Sequence, residues 1–137
     1  MTLQDIRYGM RVEVELPYEQ AVERTVEELG KDGFGILAEI DVSATLKKKL
    51  DVDFRPYVIL GACNPPLAHR ALSAEENIGL LLPCNVIVYA GDDASHSYVA
   101  AIDPITQLEL TGNDAIAPVA KDVRSRLVKV LERVAAP

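Results

Sequence analysis

Residues 6–16 alternate in character. Ile6, Tyr8, Met10, Val12, Val14 and Leu16 take every second position, with Arg7, Gly9, Arg11, Glu13 and Glu15 between them. A period of two predicts a β-strand with one buried and one wet face. Strands of an all-parallel sheet are usually apolar on both faces, so the pattern argues against one. The period then changes. Pro17 suits a first helical turn, and Tyr18, Val22, Val26 and Leu29 follow at helical spacing, with Glu19, Glu23, Glu27 and Glu28 outward. Gly30 and Gly33 are expected to end that helix. Phe34, Ile36, Ala38, Ile40 and Val42 predict a second strand with these residues on one face and Glu39 and Asp41 on the other.

Further along, Ser43 is expected to cap a short helix that turns Leu46 and Leu50 inward and Lys47, Lys48 and Lys49 outward. Tyr57 to Cys63 is apolar on both faces and reads as a central strand. Asn64-Pro65-Pro66 carries the signature of a helix start, Asn as cap and Pro in the first turn, with the helix running to about Leu72. Residues 73–83 connect to a strand at Asn85–Tyr89. Gly91-Asp92-Asp93 begins a turn, and Tyr98–Asp103 returns. The last helix has the clearest period: Ile116, Val119, Ala120, Val123, Leu127, Val130, Leu131 and Val134 trace one face.

The order β-α-β-α-β-α-β-β-α predicts an α+β fold, a two-layer sandwich. Its sheet is mixed or antiparallel, with helices on one face. Residues 1–137 read as one domain, since no repeat, low-complexity stretch or linker interrupts them. A sheet with one face left uncovered is either solvated or packed on a second subunit, and the apolar content favours a homodimer.

Composition narrows the function. The chain has 137 residues and a formal charge of −7, from 14 basic and 21 acidic side chains. No basic patch is visible beyond Lys47–Lys49, which argues against nucleic acid as a partner. The longest apolar run, near Gly79–Cys84, is too short to cross a bilayer, and residues 1–5 lack a secretory signal, so membrane association is not expected. A cytoplasmic location follows, with both cysteines reduced. Two Phe, five Tyr and no Trp leave few aromatics for a stacking platform.

Two tripeptides stand out, Cys63-Asn64-Pro65 and Pro83-Cys84-Asn85. With Gly33-Phe34-Gly35, Glu39-Ile40-Asp41-Val42, Arg55-Pro56-Tyr57, the run Gly79 to Val86 and Ile102-Asp103-Pro104, they give the chain its resemblance to domain-of-unknown-function family 302. The likeness covers roughly residues 5–135. It implies a compact α+β domain that tends to pair with itself, and no established reaction.

Three kinds of site compete around these tripeptides. The favoured one is a small-molecule-binding or sensing module near Cys63-Asn64 and Cys84-Asn85. In it Asn64, Asn77 and Asn85 offer amide donors and acceptors, and His69 stands nearby. A thiol-dependent redox or transfer enzyme would use Cys63 or Cys84, with Cys63 just before a helix start and His69 as proton acceptor. A purely structural dimeric interaction domain would use neither. Burial of both cysteines as small hydrophobes, and Asn64 as a plain helix cap, are the simpler structural readings. The spacing of two Cys and two His does not match a zinc knuckle, so no metal is expected, and no particular cofactor is indicated. If the strands carrying Cys63 and Cys84 run antiparallel side by side, the two residues are neighbours; if parallel, they lie at opposite edges.

Overall fold

The computed structural model describes residues 3–137. Strands β1 (Gln4–Ile6) and β2 (Gly9–Val14) form a hairpin across Arg7-Tyr8. They are followed by α1 (Tyr18–Lys31), β3 (Gly35–Asp41), α2 (Val42–Leu50), β4 (Tyr57–Cys63) and α3 (Pro65–Ala74). A 3-10 segment at Glu76–Leu81 leads to β5 (Cys84–Ala90) and β6 (Ser97–Ile102). Then come α4 (Pro104–Leu108), a 3-10 turn at Glu109–Thr111, and α5 (Ala117–Ala135). The strands make one sheet in the order β1-β2-β6-β5-β4-β3, and every neighbouring pair is antiparallel. The α+β architecture expected from the pattern is present, in its antiparallel form.

Strand alternation builds the core. Met10, Val12 and Val14 of β2, Val99 and Ala101 of β6, Val86 and Val88 of β5, and Val58, Leu60 and Ala62 of β4 are all buried on one face. Against them α1 lays Ala21, Thr25 and Leu29, and α5 lays the apolar stripe from Val119 to Val134. Each fully buried Val or Leu contributes about 1.5–3 kcal/mol.

The α1–α5 seam is closed by charge. Glu28, only 7% exposed, accepts from Arg133 Nε at 2.8 Å and from Lys31 Nζ at 2.9 Å. Arg133 Nη2 also donates to Asp32 Oδ2 at 2.6 Å. Hydrogen bonds from Lys31 and then Arg133 hold the Glu28 carboxyl below its ordinary pKa.

Four details depart from the sequence pattern. The first alternating run is not one strand: Tyr8 sits in the hairpin turn, 64% exposed, and of the alternating residues Met10, Val12 and Val14 are buried in the core while Leu16 packs at its edge. The close approach of β2 to β6 needs glycine at position 9, because a Cβ there would lie 2.5 Å from the Ala101 carbonyl oxygen. In β3, Ile36 pairs with Ala62 but Ala38 pairs with Gly61, leaving Leu37 as an extra, bulged residue. One extra residue flips every later side chain. Ile36 therefore shares a face with Ala62, whereas Ala38 and Ile40 lie on the far face and Glu39 and Asp41 on the helix side. The edge position leaves these two carboxylates exposed.

The cap of α2 is Asp41, not Ser43: Asp41 Oδ1 accepts from Ala44 N–H at 2.9 Å and from Ser43 Oγ at 2.8 Å. Leu46 and Leu50 of that helix are not buried. Finally, α4, which the apolar periodicity does not reveal, starts at an Asp103 cap whose Oδ1 accepts from Ile105 N–H at 2.9 Å.

Candidate functional site

β4 ends and β5 begins at the same end of the sheet. Because the two strands are antiparallel neighbours, Ala62 pairs with Cys84, and Cys63 is one residue beyond. The two cysteines are thus brought together. Both are free, Cys84 buried and Cys63 half-buried.

A cavity of about 270 Å³ opens at this sheet end, between the strand termini and helices α3, α4 and α5. Ala62, Cys84, Leu108, Val119 and Val123 line its buried part, and Leu37, Leu72 and Gly79 lie at its exposed rim. The bulge in β3 places Leu37 there. Helix α3 contributes Leu67, Ala68, Ala71 and Leu72, which share one helical face. Asn64 completes the wall, and Cys63 borders it at the end of β4 while its side chain alternates to the other face of the sheet.

Asn64 is buried and both ends of its amide are engaged. Oδ1 accepts from Leu67 N–H at 3.3 Å, which makes it the cap of α3, and Nδ2 donates to the Asp32 carbonyl at 3.3 Å. That second bond ties the α1–β3 turn to the start of α3. Gly33, with φ of +82°, makes the turn, and a Cβ at that position would lie 3.0 Å from Asn64 Nδ2.

The other three candidates stand outside the cavity. His69 is exposed and does not line it. Asn77, in the 3-10 segment, is exposed and does not line it either. Asn85 pairs with Gly61, so its side chain leaves the sheet on the face away from the helices. The structure therefore gathers Cys63, Asn64 and Cys84, and leaves His69, Asn77 and Asn85 apart from them. Sequence reasoning missed Leu37, Ala71, Leu108, Val119 and Val123. Their apolar periodicity marks a buried face and carries no sign that a space remains beside it. The small pair Ala68 and Ala71 on one face of α3 is the nearest thing to a signal.

The lining is mostly aliphatic and uncharged, with Phe34 its one aromatic residue. Burial, and to a lesser degree the neighbouring Cys63, push the Cys84 thiol up to about 11, so it is a neutral thiol at pH 7 and a poor nucleophile. Among the described residues, no three His, Cys, Asp or Glu side chains converge as a metal set. This geometry can exclude water and hold an apolar group. It offers no carboxylate, imidazole or amine within the cavity, and its buried Cys84 thiol is neutral.

The sheet's other face carries a second feature. Tyr57, Tyr89 and Tyr98 stack in a row across β4, β5 and β6, with ring centroids 5.3 and 5.2 Å apart. Phe54 joins one end at 6.1 Å, and the Arg11 guanidinium lies 4.6 Å from the Tyr98 centroid while donating to the Tyr89 hydroxyl at 3.2 Å. Ala100, Ile87, Ile59 and Ile40 form the adjacent row. Few as the aromatics are, antiparallel register concentrates three of them into one ladder.

Comparison with known proteins agrees with this architecture. The family model described as domain of unknown function DUF302 matches residues 10–134. Among solved structures, the chain is similar to the crystal structure of an uncharacterised conserved DUF302 protein from Bacillus stearothermophilus. The TM-score is 0.86 at 30% sequence identity, over 94% of this chain and 99% of the other. No curated protein matches the chain.

Proposed function

The chain belongs to the DUF302 family, and we propose that residues 1–137 act as one small-molecule-binding or sensing domain whose site is the cavity between α3, α5 and the β4–β5 end. The observation that supports this is the cavity itself: about 270 Å³ of aliphatic-lined space with an open rim. Protein interiors rarely leave such space unfilled, and a closed void of that size would forgo up to about 6 kcal/mol. The volume lies just below the range of about 300–1,000 Å³ usual for ligand sites, which suits a small ligand. Asn64 acts as wall and support, holding the start of α3 in place, Cys63 borders the cavity beside it, and Cys84 is part of the floor. Two free thiols suit the reducing cytoplasm.

Thermal-shift measurement against one panel of apolar small molecules and one of polar metabolites tests the reading. Saturable stabilisation is expected from the apolar panel and is expected to vanish in Ala71→Leu, which fills the cavity. If neither panel gives a saturable shift, the reading fails.

A homodimer is the second part of the proposal. Its support is the sheet face without helices, where the tyrosine ladder and the row of isoleucines form a contiguous, largely apolar surface. Surfaces of this kind on soluble chains commonly meet a partner, and a second copy offers the same rows.

A further inference from the structure

We infer that the ligand of this cavity is a free aliphatic chain of roughly ten carbons, inserted with its polar head left at the Leu37–Leu72 rim. The inference rests on the binding reading above and adds the ligand's chemical class.

Three observations carry it. First, the buried wall offers no free amide, hydroxyl or charged side chain: both ends of the Asn64 amide are already paired, and the remaining lining is Leu, Val, Ala, Phe, Gly, Pro and the weakly hydrogen-bonding Cys. A nucleobase, sugar or charged group placed there would lose its hydrogen bonds to water without replacement. Second, Phe34 is the single aromatic residue of the lining. The stacking partners that aromatic ligands favour lie instead on the opposite face of the sheet. Third, the rim is apolar and exposed, with Leu37 at 69% and Leu72 at 42%. A chain thus meets apolar surface from entrance to floor, and its head stays in water. Scaled from an apolar cavity of about 150 Å³ that holds benzene, about 270 Å³ accommodates roughly ten carbons.

Calorimetric titration with 1-alkanols from four to fourteen carbons tests this, alongside naphthalene methanol as an aromatic of similar size and a didecanoyl phospholipid as an esterified source. Affinity is expected to rise about fourfold per methylene and to level off near ten carbons. Ala71→Leu is expected to move the break to shorter chains and Val123→Ala to longer ones, with circular dichroism confirming the fold of each. A series without a break, a break that neither variant moves, tighter binding of the aromatic, or binding of the esterified chain alone overturns the inference while leaving a small-molecule site standing. Failure of every alkanol, of the aromatic and of the phospholipid overturns the inference, and the binding reading falls with it when the polar panel also gives no saturable shift.

Discussion

Ala62 and Cys84 face one another across the β4–β5 ladder, so Cys63 and Cys84, though adjacent in space, leave the sheet on opposite faces. This arrangement separates their chemistry. In the folded protein at neutral pH, alkylation is expected at Cys63 only, and Cys63→Ser is expected to leave no reactive thiol until denaturant is added. Mass spectrometry of the alkylated chain reads this directly. Modification of Cys84 in native Cys63→Ser would contradict its burial.

The raised Cys84 value has a consequence for alkaline stability. The folded state holds the thiol proton more tightly than the unfolded chain, whose ordinary value is 9.0. The stabilising contribution is therefore complete below about pH 9 and is lost as pH rises through about 11. Relative to Cys84→Ala, the wild type is expected to lose on the order of 2 kcal/mol across that window. Urea unfolding of both proteins at pH 8 and pH 11 gives the difference. An unchanged gap contradicts the assignment.

Glu28 predicts the opposite dependence at low pH. Its carboxyl is held below the ordinary 4.5 by Lys31 and Arg133. The stability it supplies is present above pH 4.5 and is lost as pH falls through the lower folded value. Glu28→Gln is expected to cost about 1–2 kcal/mol at pH 7, since Arg133 is only partly buried. The gap from wild type is expected to close in acid. A gap constant from pH 7 to pH 3 would show that the charge is not the source.

Two glycines separate backbone crowding from helix propensity. Gly9→Ala places a methyl 2.5 Å from the Ala101 carbonyl oxygen, between hydrogen-bonded strands that cannot part locally. A loss of roughly 2–4 kcal/mol is expected. Gly30→Ala, in the last turn of α1 with nothing within 4 Å of the new methyl, is expected to stabilise by about 0.5–1 kcal/mol. Chemical denaturation of the two variants checks both signs.

For the uncovered sheet face, Ile59→Glu inserts a charge into the row shared with Ile87 and Ile40. Sedimentation is expected to show a dimeric wild type and a monomeric variant with nearly unchanged circular dichroism. A wild type that is monomeric at micromolar concentration removes the dimer proposal.

The alternation through Met10, Val12 and Val14, the stripe from Val119 to Val134 and the Asn64 cap were legible in the sequence. Each depends on local geometry: the period of two in a strand, the 3.6 of a helix, and the reach of one amide to a nearby N–H. These elements determined the α+β class and the place of the Cys-containing phrases at strand ends. The bulge at Leu37 was not legible, because whether a residue is skipped depends on its partner strand, and that pairing is not encoded in β3 alone. Nor was the antiparallel pairing that brings Cys63 beside Cys84 while sending them to opposite faces. Tertiary packing decided the site as well. Val119 and Val123 read as core, and they become cavity wall only because α3 presents Ala68 and Ala71 at the same level. A hydrophobic pattern records which side chains avoid water, whereas the volume left between them is a property of how separate elements meet.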